Sequence, residues 1–142
     1  MYKSFVIIFF LLTNTQVFSQ MRNQESKIDS KKAEENRVYN RNEVDKVAHF
    51  PNEKFSWKKY LIKKSRYNKF DKKFQAKGKV YLSFIVEKDG SVSDAVILRG
   101  LNSKCDEDAL WLIRTSKKWV PALSKSKIVR SKVHCVISYG FD

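Results

Sequence analysis

The sequence predicts a small α+β domain, in which a three-stranded antiparallel sheet packs against two helices. Three observations carry this. Val80, Leu82, Phe84 and Val86 alternate with Tyr81, Ser83, Ile85 and Glu87, the period-2 signature of a half-buried strand. Lys88-Asp89-Gly90-Ser91 follows, with Asp and Gly to tolerate the positive φ of a tight hairpin before a second β-rich run, Val92 to Leu98. After it comes an acidic helix start, Cys105-Asp106-Glu107-Asp108, and then a closing run in which Val133, Cys135, Ile137, Tyr139 and Phe141 share one face. A strand–turn–strand–helix–strand order with few spare residues describes one α+β domain.

Lys3 followed by the apolar run Phe5 to Leu12 and by Val17-Phe18-Ser19-Gln20 has the form of a signal peptide over residues 1–20. An uncleaved short anchor is the other reading, and either one exports the rest of the chain. Residues 21–46 are rich in Lys, Glu, Asn and Arg and contain no proline, which suits a charged tether, flexible or transiently helical. The folded domain is expected over 47–142. Asn52 is a candidate cap for a first helix running to about Lys64, with Trp57, Tyr60 and Leu61 on its apolar side. Tyr67 to Phe74 reads as a short second helical piece that ends before Gly78.

Gly100 to Lys104 reads as a loop. In the helix that follows, Asp106, Glu107 and Asp108 lie in the first turn and Arg114, Lys117 and Lys118 in the last, which complements the helix dipole at both ends. Trp119-Val120-Pro121 stops it, Ala122 to Ile128 is a polar connection, and Val129 to Phe141 is the last strand. The expected strand order is hairpin strand two, hairpin strand one, last strand, which leaves both outer strands as edges.

Composition narrows the function. The chain has 142 residues and a net charge of +14, concentrated before the hairpin: residues 51–80 carry eleven Lys or Arg against two Asp or Glu. Such a patch attracts anionic surfaces, but an exported protein meets little nucleic acid, and a solvated basic helix face accounts for the same residues. The two cysteines, Cys105 and Cys135, permit one disulfide in an oxidising compartment, with two inert thiols as the alternative. The sequence has no Gly-rich phosphate loop, HExxH, CxxC or G-x-S-x-G. His134 and Cys135 are strand neighbours and point to opposite faces, so they do not pair as base and nucleophile, and His49 beside Phe50-Pro51 suits packing or surface. No enzyme, metal site or cofactor is expected.

From about Val47 to Phe141 the chain resembles the C-terminal domain of TonB, the bacterial energy transducer. The matching residues are Phe50-Pro51, Trp57, Tyr60-Leu61, Tyr67, Gly78-Lys79-Val80, Asp89-Gly90-Ser91-Val92-Ser93-Asp94, Leu98-Arg99-Gly100, Asp106-Glu107, Ala109-Leu110, Trp119-Val120-Pro121 and Phe141. The sequence departs from the family pattern at Asn52-Glu53, Asn68, Asp71 and Gln75, all before the hairpin. The resemblance implies a periplasmic domain, exported or anchored in the inner membrane. It also implies β-augmentation, with the TonB box of an outer-membrane transporter added along the last strand. The residues expected on that edge are Lys132, His134, Val136 and Ser138. An anchored form would engage the inner-membrane ExbB–ExbD motor, and exposed edges would allow a homodimer. The alternative is an envelope-surface binder that uses the basic patch without energy coupling.

Overall fold

The computed structural model describes residues 2–51, 57–67 and 76–140, with side chains from residue 17 onward. Asn52, most of the Tyr67–Phe74 piece and Phe141 lie outside the described residues. The chain forms two compact units, divided after Arg37.

The first unit is one helix, α1 (Tyr2–Asn36). It takes in the segment read as a signal and the first part of the expected tether. Lys, Glu, Gln and Ala favour helix, and no Gly or Pro interrupts the run. The helix has no apolar stripe, and its side chains from Val17 onward are exposed. No helix among the described residues is long and apolar enough to cross a membrane.

The second unit begins at Val38, earlier than the expected Val47. Its elements are β1 (Val38–Tyr39), a 3-10 turn (Arg41–Glu43), α2 (Trp57–Lys64), β2 (Gly78–Val86), β3 (Val92–Arg99), α3 (Ser103–Arg114), β4 (Ala122–Ser124) and β5 (Lys127–Tyr139). The expected antiparallel order β3-β2-β5 is present, with Leu82 opposite Cys135 and Phe84 opposite Val133. The sheet is nevertheless mixed and five-stranded rather than three-stranded and antiparallel. β1 adds to β5 in parallel, and β4 folds back on β5. The expected polar connection is therefore largely a hairpin. Lys125 and Ser126 both have positive φ (49° and 62°), the geometry of a type I′ turn, without the Asn or Gly that usually marks one.

β2 is central and is buried on both faces from Leu82 to Val86. Its inward Val80, Leu82, Phe84 and Val86 meet Cys105, Ala109, Leu112 and Ile113 of α3 and Ile137 and Tyr139 of β5 in one core. α3 starts two residues before Cys105, because the Asn102 side chain accepts the Cys105 N–H at 2.9 Å and so caps the helix. The hairpin turn forms as expected. Gly90 has φ +82°, and the Trp119 N–H donates to its carbonyl at 2.8 Å. Phe50, Trp57, Tyr60, Phe84 and Trp119 form a ring cluster with centroids 5.0–5.6 Å apart, and this seats α2 on the sheet.

Candidate peptide-binding edge

One border of β5 pairs with β2 from Ser131 to Tyr139. On the other border β1 occupies only Arg130 and Ser131, after which the chain leaves the sheet at Asn40. From Lys132 to Tyr139 no strand among the described residues lies beside that border. Alternate backbone donors and acceptors of an antiparallel strand point away from its partner, so this border offers free ladder positions.

All four residues expected on the edge are exposed. Opposite them on β2 stand Ile85, Ser83, Tyr81 and Lys79, so Lys132, His134, Val136 and Ser138 share the sheet's outer face. They flank an incoming strand on the outer face, and they also border two cavities along the same edge. No local pattern predicts the opposite walls of these cavities, which α2 and a strap formed by residues 38–49 build against β5. A groove of about 330 Å³ runs between α2 and the end of β5, walled by Trp57, Leu61, Ile62 and Tyr67 opposite Val136, Ile137 and Ser138. A slot of about 90 Å³ lies between the strap and the start of the open border. Both cavities therefore lie on one strand edge, one towards each end.

Buried chemistry fixes the α2 wall. Asp108 is 1% exposed, so it does not serve as a solvent-facing dipole partner. Its carboxylate accepts from the Ser65 hydroxyl at 2.7 Å, the Arg66 N–H at 3.1 Å and the Tyr139 hydroxyl at 3.1 Å. The Tyr139 phenol also donates to the Cys105 carbonyl at 3.1 Å, and burial together with the Asp108 charge pushes its pKa up. This ties the end of α2 to α3 and to the last turn of β5. The Tyr60 hydroxyl adds a bond to the Leu112 carbonyl at 2.9 Å.

The strap is held from behind. Lys46 and Leu123 exchange backbone bonds at 3.1 and 2.9 Å, and His49 and Val120 do so at 3.1 and 2.9 Å. The Asp45 carboxylate accepts the Lys125 N–H at 2.6 Å, and the Ser124 hydroxyl donates to the Glu43 carbonyl at 3.1 Å. His49 is exposed, with its ring beside the Val47 carbonyl. Next to the strap, Arg130 binds both oxygens of Glu87 at 2.6 and 2.8 Å, and this bidentate contact holds the Glu87 carboxyl below its ordinary range.

Cys105 and Cys135 are unpaired in the structure. Cys105 lies under α3 beside Tyr139, whereas Cys135 sits four residues back along β5 near Trp57. Burial pushes the Cys135 thiol up to about 11 and also raises Cys105. Among the described residues no cluster of His, Cys, Asp and Glu could hold a metal ion.

Residues 63–141 match the family model of the Gram-negative bacterial TonB protein C-terminal. The chain belongs to the TonB C-terminal family. No curated protein matches it. TonB C-terminal domains are periplasmic transport and interaction domains that work with outer-membrane transporters, which places this domain in envelope transport. The match covers the last two residues of α2 and the whole of β2, β3, α3, β4 and β5, but it begins after the strap. The strap thus lies outside the matched region, and its slot is shared between the strap and the matched β5.

Proposed function

We propose that the open border of β5 receives the TonB box of an outer-membrane transporter as an added strand, in energy-coupled transport across the outer membrane. The supporting observation is the free run from Lys132 to Tyr139 with the α2 groove beside it. Backbone bonds along the edge supply affinity, and the flanking cavities supply selectivity. Side chains of the guest that face inward enter the apolar groove between Trp57, Leu61 and Ile137. Those that face outward lie beside Lys132, His134, Val136 and Ser138. Export depends on residues 1–20, as a cleaved signal or as a retained anchor, and the anchored form would engage the ExbB–ExbD motor. The second free edge, along β3, offers a route to a homodimer.

A second reading has its own observation. Lys58, Lys59, Lys63 and Lys64 are all exposed on α2 and could hold an anionic envelope surface without energy coupling. Salt separates the two. Calorimetric titration of the full chain with a TonB-box peptide should give an affinity that changes little between about 0.05 and 0.3 M salt. No heat of binding, with steeply salt-dependent adsorption to anionic vesicles, would favour the basic surface instead.

A further inference from the structure

The slot at the front of the β5 border carries chemistry that edge pairing does not use. We propose that it is a carboxylate seat, which fixes the register of the guest strand by holding an acidic group where the strap closes the edge. This rests on the β5-edge function above.

Four observations converge on an acid. Arg41 enters the slot from the strap and Lys132 from β5, with His134 one face-position further on, and no Asp or Glu lines it. The strap's two acids are engaged in its own structure. Glu43 accepts from the backbone and side-chain N–H groups of Asn40 at 2.8 and 2.9 Å, and Asp45 accepts from the Lys125 N–H. Ser131 also lines the slot. It is 3% exposed, and its hydroxyl has no hydrogen-bond partner among the described residues. A buried hydroxyl left unpaired costs roughly 1–3 kcal/mol, so a polar group that reached Ser131 would be favoured there.

Size and position narrow the class further. A volume of about 90 Å³ admits a carboxylate of three heavy atoms. The strap also lines the slot with Val44, Val47 and the buried Ala48, so the two cations stand beside apolar walls. The slot lies where Tyr39 ends its pairing opposite Ser131, so an acid seated there would align the rest of the guest with the open run and place its other end at the α2 groove. The strap half of the seat, with Arg41, precedes residue 63, whereas its β5 half lies within the matched family region.

The test uses the full chain and blocked seven-residue peptides of alternating apolar pattern, acetylated and amidated at their ends. One carries Asp at its first position, one carries Asp at its last, and one carries Asn at both. A fourth matches the Asn peptide but keeps a free C-terminal carboxylate, to separate a side-chain source from a chain-end source. One acidic peptide should bind about tenfold more tightly than the Asn peptide, and the acid-over-amide ratio should fall to about one in the double variant Arg41→Ala/Lys132→Ala. Equal binding of all four peptides would overturn the seat and leave edge binding intact. Persistence of the ratio in the double variant would also overturn it, because the acid would then be read elsewhere. If no peptide binds at all, the β5-edge function itself fails and the seat fails with it.

Discussion

Tyr39 stands opposite Ser131 in a parallel pair, and the chain turns out of the sheet one residue later. That pair marks the point where an edge already used by the protein becomes one that a guest can use. A parallel strand of two residues is too short to hold alone, so the strap depends on its bonds to the β4 hairpin. Asp45→Ala removes the acceptor for the Lys125 N–H. It should cost about 1 kcal/mol in urea denaturation. It should also speed amide hydrogen exchange over residues 38–46 while leaving β2 protected. Unchanged exchange there would show that the strap stands without this anchor.

The Glu87–Arg130 contact should appear as a pH-dependent stability. Both side chains are 24% exposed, so the bidentate pair is worth about 1 kcal/mol. The folded-state carboxyl titrates below its unfolded value, so the stabilisation is complete above the unfolded pKa and is lost as pH falls through the lowered one. Glu87→Gln should therefore be less stable than the parent at pH 7, and the gap should close below about pH 4. A gap of the same size at pH 7 and pH 3 would contradict this.

Asp108 joins three elements through three donors, and its removal strands them inside the protein. Asp108→Ala should cost about 3 kcal/mol or more, and Tyr139→Phe about 1 kcal/mol, by chemical denaturation. Because Ser65 and Arg66 end the α2 wall, Asp108→Ala should also weaken peptide binding in protein that remains folded. A loss under 1 kcal/mol for Asp108→Ala would show that the network is dispensable.

Gly90 cannot carry a side chain. A Cβ there would lie 2.2 Å from the Trp119 carbonyl oxygen, at a φ of +82° that L-residues avoid. Gly90→Ala should lower Tm by about 10 °C, equivalent to about 2 kcal/mol. A shift of a degree or two would mean that the turn and the Trp119 segment give way easily.

The two thiols should be slow to react. At pH 8 a thiol with its pKa at about 11 is about one part in a thousand thiolate, against about one in four for an unperturbed cysteine. Cys135 should therefore react with a disulfide reagent more than a hundredfold more slowly than a free cysteine, and intact mass should show two reduced thiols. A mass lower by two hydrogens after mild oxidation would place a disulfide between Cys105 and Cys135.

Strong local signals made most of the fold legible in the sequence. The alternation of Val80 to Val86, the Asp89-Gly90 turn and the charged ends of α3 each predict their own element, and antiparallel pairing of β2 with β5 follows from the topology. The strands that were missed lack such signals. Val38–Tyr39 is too short to show a period, and its place depends on partners some ninety residues away. The Lys125-Ser126 turn adopts type I′ geometry without the usual residues. Asp108 looks like its neighbours Asp106 and Glu107, and only the approach of Ser65, Arg66 and Tyr139 distinguishes it. The outward edge residues could be read from strand alternation. The α2 groove and the slot could not, because their walls come from segments that no local pattern ties to β5.

The most direct measurement is amide hydrogen exchange along β5 with and without a bound TonB-box peptide, resolved by residue. Alternate amides between Lys132 and Ser138 should become strongly protected on binding, with Arg130 and Ser131 unchanged because β1 already covers them. Protection confined to the lysine-rich face of α2, with β5 unaltered, would contradict strand addition at this edge.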